Sequence, residues 1–349
     1  MAEPDPALLL AWYDRYRRTM PWRALPGEVP DAYRVWLSEI MLQQTTVAAV
    51  IPYYQRFSAL FPTVQALADA ETDAVMSAWA GLGYYARARN LHACAKAVAA
   101  AGGLFPSTVE ALLGLPGIGA YTARAIAAIA FGVPVVPVDG NVERVTARLY
   151  AIDQPLPAAK LRVAAAAARF GDHPAARARA SEFAQSLFDL GATICTRRPA
   201  CAICPLSDGC LGRRTGAPET LPRRAVRAAR PVRHGAVFWL TDPQGRVLLR
   251  RRPSTGLLGG MTELPGTEWR PTPWPEDAAH NAGPMLAAWR RAGQVRHMFT
   301  HFELLLDVFV AQVPAIAADG FLRHTDALAG EALPSVMRKG VAVAVGMRA

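Results

Sequence analysis

Two carboxylates and four thiols carry most of the chemistry this sequence could perform. Four of its five cysteines fall together as Cys195-x5-Cys201-x2-Cys204-x5-Cys210. Soft sulfur donors set this closely form a ligand set for an iron–sulfur cluster or for tetrahedral zinc, and spacing alone chooses neither. Glu39 lies in the run Val35-Trp-Leu-Ser-Glu-Ile-Met-Leu-Gln-Gln44-Thr45, which reads as a largely apolar helix. A carboxyl in such surroundings is costly unless it is protonated or paired. A raised pKa suits a general acid, and an ion pair with one of the many arginines is the structural alternative. Asp139, in Pro137-Val-Asp-Gly-Asn141-Val-Glu-Arg144, either caps a helix beginning near Asn141 or serves as a functional carboxylate.

The elements that must position these groups are mostly helical. From Pro6 to about Leu211 the chain consists of Ala-, Leu-, Val- and Arg-rich stretches punctuated by glycine and proline. Within it, Leu112-Leu-Gly-Leu-Pro-Gly117-Ile-Gly119-Ala-Tyr121-Thr-Ala123 predicts a helix-hairpin-helix over about residues 107–131. Gly117 and Gly119 let the backbone come close to a ligand, and the amides opening the second helix form a partly positive end suited to a phosphate. An ordinary helical hairpin has the same outline. The apolar face running from Pro174 through Phe183, Leu187, Leu190 and Ile194 predicts one helix that delivers the chain to Cys195.

Residues 213–232 change character, being rich in arginine and proline, and are expected to be a basic linker. From residue 233 to 349 the pattern is α+β. Ala236–Leu240, Arg246–Leu249 and His301–Val310 read as strands, with a turn at Asp242-Pro-Gln-Gly245. The fold class is therefore multidomain: residues 1–212 all-α with the cysteine loop 195–210, then an α+β domain.

The chain's 349 residues exceed what one compact core usually holds. With 52% hydrophobic and 19% charged residues, disorder is excluded for most of it. A formal charge of +10 favours a polyanionic partner, nucleic acid ahead of an acidic membrane surface. No apolar stretch approaches the ~20 residues that span a bilayer, and the N-terminus lacks the basic region of a secretory signal. A soluble, intracellular protein without membrane partners is expected.

Taken together, these segments resemble the MutY family of adenine DNA glycosylases, a branch of the helix-hairpin-helix superfamily. Further support comes from Met20-Pro-Trp-Arg23, Ser38-Glu-Ile-Met-Leu-Gln-Gln-Thr45, Gly81-Leu-Gly-Tyr84-Tyr85-Ala-Arg-Ala-Arg89-Asn90, Val138–Arg144 and Asp189-Leu-Gly-Ala-Thr-Ile-Cys195. The resemblance implies two helical subdomains with DNA between them, a [4Fe–4S] cluster on Cys195, Cys201, Cys204 and Cys210, and a C-terminal domain similar to Nudix hydrolases. It implies removal of adenine mispaired with 8-oxoguanine or guanine in double-stranded DNA, by a protein expected to be a monomer.

By the same resemblance, Glu39 protonates adenine at N7, Asp139 stabilises the sugar, and Tyr121 and Asn141 orient the pair. Gln44 and Tyr84 match positions that enter the base stack, and the Gly117–Gly119 hairpin binds DNA. Phe299, Thr300 and His301 match a Phe-Ser-His loop that reads 8-oxoguanine, with threonine replacing serine. Tyr121 stands where the endonuclease III family has a Schiff-base lysine, so base removal without efficient strand cleavage is expected.

Two departures stand out. Five residues separate the first two cysteines where the family has six. After Gly256-Leu-Leu-Gly-Gly-Met-Thr-Glu-Leu-Pro-Gly266, the carboxylates of a Nudix metal site are missing, which disfavours pyrophosphate hydrolysis. A DNA-binding module with a structural cluster remains the non-enzymatic alternative.

Overall fold

The computed structural model describes residues 3–225, 229–253 and 256–346. The chain divides into two compact units, one of residues up to 82 with those from 87 to 225, the other of the described residues from 229 onward together with 83–86. Among the described residues no helix is long and apolar enough to cross a membrane.

The first unit is helical: α1 (Pro6–Tyr16), α2 (Ala32–Leu42), α3 (Val47–Leu60), α4 (Val64–Asp69), α5 (Thr72–Trp79), α6 (Ala86–Ala100), α7 (Val109–Leu113), α8 (Ala120–Phe131), α9 (Gly140–Leu149), α10 (Lys160–Gly171), α11 (Pro174–Ala178), α12 (Ala180–Thr193) and α13 (Leu211–Arg214). Short polar side chains start many of them. Asp5, Asp31, Thr46, Thr63, Thr108 and Asp139 each accept an amide hydrogen bond as N-cap, satisfying donors that a helix end leaves over. One core joins α1, α9 and α12 through Leu9, Leu10, Val142, Val145, Phe183, Leu187 and Leu190.

The single helix expected before Cys195 is two. Arg179 breaks it with φ −130° and ψ 47°, ending α11 and starting α12, while its guanidinium pairs with Asp14 and Glu182. The basic linker also differs from expectation. Residues 213–225 belong to the helical unit, while 226–228 lie outside the described residues. Leu221 is buried, Leu156 donates its amide to the Arg223 carbonyl (2.8 Å), and Ala225 donates to the Leu156 carbonyl (2.9 Å).

Arg148 explains this attachment. It is 2% exposed, and its guanidinium donates to the carbonyls of Pro218 (2.8 Å), Leu221 (3.0 Å), Thr196 (2.5 Å) and Arg197 (3.1 Å). A buried cation of this kind is tolerable only when its donors are met by acceptors.

The second unit is a six-stranded sheet: β1 (Val232–Thr241), β2 (Arg246–Arg251), β3 (Thr262–Glu263), β4 (Arg290–Met298), β5 (Glu303–Gln312) and β6 (Phe321–His324), with helices α14 (Glu276–Asn281) and α15 (Ser335–Gly346). The order is β3-β2-β1-β5-β4, with β6 paired to β2. Central β1 pairs parallel with β5, and both its faces are covered: Val237 and Trp239 enter one core, Phe238 and Leu240 another. That is why it reads as an unbroken apolar run.

Arg148→Ala should therefore leave four carbonyls without their shared donor and loosen residues 196–197 and 218–221 together. A loss of about 3–5 kcal/mol is expected. Thermal melting of the purified variant checks it, and an unchanged midpoint would show that these bonds add no stability.

Candidate active site

Glu39, Tyr121, Asp139, Asn141 and Gln44 line one cavity of ≈ 560 Å³ in the helical unit. The elements that bring them together are far apart in sequence. α2 turns Glu39 onto its buried face at 7% exposure, α8 offers Tyr121 as its second residue, and Asp139 stands immediately before α9. The two readings of Asp139 meet in one residue. Its Oδ1 caps α9 by accepting from the amides of Asn141 (2.9 Å) and Val142 (2.7 Å), and its Oδ2 accepts from Asn141 Nδ2 (3.0 Å) while the side chain lines the cavity.

The two carboxyls differ electrostatically. Burial pushes Glu39 up to about 7; the hydrogen bond from the Tyr121 hydroxyl lowers it, the charge of Asp139 raises it, and Arg23 lowers it. Burial also raises Asp139, but the amides of Val142 and Asn141, the Asn141 side chain and Arg144 oppose that, so the rise is smaller. Near neutral pH the site can hold a protonated Glu39 beside an ionised Asp139, which is the arrangement needed to protonate a leaving group while stabilising positive charge.

Some cavity residues escaped the sequence reading. Arg18 and Arg23 line it, both tied to Asp189, which is 0% exposed. Arg18 Nε is 2.6 Å and Arg23 Nη1 2.7 Å from that carboxylate, and the two arginines hold its pKa below the usual range against desolvation. Gln185, one turn before Asp189 on α12, also reaches the cavity, its amide nitrogen donating to the Ser181 carbonyl (3.2 Å). Only Met20–Arg23 and Asp189–Cys195, quoted for their resemblance, signalled part of this set.

The four cysteines line a second pocket with Val145, Arg148 and Leu149 of α9. None forms a disulfide. Among the described residues no group of three or more His, Cys, Asp or Glu side chains is arranged to hold a metal ion, so the fit rests on donor chemistry. Four sulfurs face one pocket, Arg148 Nη1 donates to Cys195 Sγ (3.3 Å), and the Arg213 amide donates to Cys210 Sγ (3.4 Å). Four sulfur donors on one pocket are the chemistry that an iron–sulfur cluster takes. Arg144 links this loop to the carboxylate site. Its Nε donates to the Cys195 carbonyl (2.7 Å), and its Nη2 donates to the Gly191 carbonyl (2.6 Å) and to Asn141 Oδ1 (2.9 Å).

The hairpin forms between α7 and α8. Gly117 has φ +74° and packs so closely on Asn90 that a Cβ would lie 2.6 Å from that side chain's Cβ. Gly119 faces open space and begins α8 without a side-chain cap, leaving the first amides available to an anion. Gln44 lies at the cavity, whereas Tyr84 does not line it and is 52% exposed; both have left-handed backbones, φ +57° and +48°. Phe299, Thr300 and His301 form the β4–β5 turn, with Thr300 and His301 exposed and Phe299 half-buried among other rings.

Comparison with known proteins shows the family. The profile of HhH-GPD superfamily base excision DNA repair proteins matches residues 37–167, and the NUDIX domain profile matches 236–342. The solved structure of a thermostable thymine-DNA glycosylase is similar with a TM-score of 0.51 and 26% identity, over 60% of this chain and 95% of that one. Helical unit, cavity and sheet thus define a helix-hairpin-helix glycosylase fold joined to a Nudix domain. Adenine DNA glycosylase of Mycolicibacterium smegmatis is 43% identical over 267 residues, 69% of this chain and 88% of the relative. That of Homo sapiens is 36% identical over 359 residues, 86% of this chain and 65% of the human protein. The chain belongs to the adenine DNA glycosylase (MutY) family.

The cavity electrostatics can be tested directly. Tyr121→Phe removes a hydrogen bond that lowers the Glu39 pKa, so its midpoint should rise above about 7, and Asp139→Asn removes a charge that raises it, so the midpoint should fall. Carboxyl titration by ¹³C NMR reads both, and a midpoint unmoved in either variant contradicts the coupling.

Proposed function

We propose that the protein is a monofunctional glycosylase that removes adenine mispaired with 8-oxoguanine or guanine from double-stranded DNA. The observation that carries this reading is the shared cavity of Glu39 and Asp139, with Glu39 titrating at about 7. An extrahelical adenosine entering the cavity meets an acid and a carboxylate. Protonation of adenine by Glu39 lets the bond from N9 to C1′ break with its electron pair leaving on the base. Asp139 faces the resulting oxocarbenium-like sugar, and water adds at C1′ with its proton returning to the Glu39 carboxylate, leaving an abasic site and free adenine. Asn141 and the α9 amides hold the Asp139 carboxylate in place, and Tyr121 orients Glu39.

Tyr121 supplies no amine, so β-elimination through a Schiff base has no nucleophile at that position. The open N-terminus of α8 and Gly119 bind a backbone phosphate. Gln44 and Tyr84 enter the space left in the stack, and their left-handed backbones suit such a role because strain of that kind gathers at functional sites. Thr300 and His301, exposed on a turn, offer a hydroxyl and a ring nitrogen to 8-oxoguanine, and Phe299 backs them. Cys195, Cys201, Cys204 and Cys210 hold a [4Fe–4S] cluster, whose chemistry here is to cross-link and stiffen the loop after α12.

Adenine release from a labelled duplex containing adenine opposite 8-oxoguanine tests the reading. Protonated Glu39 and ionised Asp139 form the active pair, so the single-turnover rate should fall as pH rises through about 7, and fall again in acid as Asp139 takes up its proton. Glu39→Gln should remove the alkaline limb and lower the rate by about 10²–10⁴-fold. Asp139→Asn should still bind the duplex while losing turnover, and near-normal release from either variant refutes the assignment.

The cluster is tested separately. Anaerobically purified protein should contain iron and acid-labile sulfide in equal amounts, whereas stoichiometric zinc without sulfide would reject the cluster.

A further inference from the structure

The turn bearing Thr300 and His301 is closed by the Phe299 amide donating to the Phe302 carbonyl (2.9 Å). Its tip is exposed, while its two flanking rings stack with centroids 4.8 Å apart. Trp269 covers both, 5.6 Å from Phe299 and 6.0 Å from Phe302. Two cations lie against this cluster: Arg252 is 5.5 Å from the Trp269 ring and Arg233 is 4.7 Å from that of Phe302. Arg252 is itself held by Glu263 and by the Leu257 carbonyl (3.1 Å).

Trp269 is fixed independently of the turn. His234 and Arg270 exchange two backbone hydrogen bonds, 2.8 and 3.0 Å, pinning the neighbouring residue to the start of β1. The indole then crosses Gly235 so closely that a Cβ there would lie 2.7 Å from Trp269 Cδ1. Both partners of this contact lie far from the turn in sequence, and neither belongs to the motif that suggested opposite-base reading.

We propose that Trp269 is a positioning residue that sets opposite-base specificity: it braces the Phe299–Phe302 pair and so fixes where Thr300 and His301 point. This rests on the reading of residues 299–301 as the 8-oxoguanine reader. Two exposed side chains on a short turn distinguish 8-oxoguanine from guanine only if their directions are set before contact, because hydrogen bonds weaken steeply with misalignment. A rigid aromatic wall supplies that order without touching DNA. Trp269 lies outside the cavity where the base is cut, so its loss acts on selectivity and spares release.

Full-length wild type, Trp269→Leu, Trp269→Phe, Gly235→Ala and the double variant Thr300→Ala/His301→Ala are compared by kcat/KM for adenine opposite 8-oxoguanine and opposite guanine. Trp269→Leu should reduce the ratio of the two about three- to tenfold, as expected for losing aromatic contacts, with the guanine value unchanged. Trp269→Phe should restore most of the ratio. Gly235→Ala keeps the indole but displaces it, and should lower the ratio in the same way.

A wild-type ratio in Trp269→Leu, while the double variant loses its preference, overturns the role of Trp269 alone. Equal loss on both substrates also overturns it, because a general structural defect moves both. A double variant that keeps the wild-type ratio removes the reader on which the inference stands, and the inference falls with it.

Discussion

The charge-dipole contact at the start of α9 is the interaction on which the helical unit's chemistry depends. Asp139 gives one oxygen to two helix amides and the other to Asn141, so the carboxylate that faces the cavity is also the first brace of the helix behind it. An anion at a helix N-terminus is favoured by the unsatisfied amides and the dipole together. From that point the helix runs to Arg144 and Arg148, whose guanidiniums gather the carbonyls of the cysteine loop. The carboxylate and the start of the cysteine loop, with the sulfurs of Cys195 and Cys210, are therefore tied to one element of ten residues.

Close packing lets α9 do this. A Cβ on Gly191 of α12 would lie 2.7 Å from the Asn141 Cβ, and one on Gly212 of α13 would lie 2.5 Å from the Arg148 carbonyl. Only glycine lets α12 and α13 approach so near. The approach is what brings the Gly191 carbonyl to 2.6 Å from Arg144 Nη2 and Cys210 Sγ to 3.6 Å from the Arg148 carbonyl. Asn141 consequently receives a fixed guanidinium on its oxygen and points its nitrogen at Asp139, which removes the ambiguity of a freely rotating amide.

Much of this was legible in residue types and local spacing. The cysteine pattern, the paired glycines and the apolar runs of β1 and β5 each carry their signal within a short window, sixteen residues for the cysteines; in the structure the cysteines line one pocket, Gly119 caps α8, and the two strands pair in parallel. What was not legible depends on partners distant in the chain. Asp189 meets Arg18 and Arg23 across more than 160 positions, so no window shows that these three form one buried set beside the cavity. Arg148 looks like any arginine on an amphipathic helix until residues 196–221 fold over it. Strand β4 has a mostly exposed face and a shift in register between Arg291 and Gly293, so alternation, the usual sign of a strand, is lost. Arg179 shows the same limit: the apolar period runs through it, and the ion pairs with Asp14 and Glu182 mark where the helix breaks.

The left-handed residues at the cavity and beyond it have a common support that neither segment reveals alone. A non-glycine residue at such φ costs about 1–3 kcal/mol and persists only where its surroundings over-determine it. The buried guanidinium of Arg87 supplies that surrounding: it donates to the carbonyls of Ile40 (2.9 Å) and Met41 (2.8 Å) at the end of α2, to Thr45 Oγ1 (3.3 Å), and to the Leu82 carbonyl (3.3 Å). Gln44 sits between the first three acceptors, and Tyr84 follows the last by two residues. One cation thus fixes the backbone on both sides of Gln44 and just ahead of Tyr84. Because the same turn of α2 carries Glu39, ordering the Gln44 segment and holding the acid in its low-dielectric position are one structural task, done by backbone carbonyls that α2 no longer needs for itself.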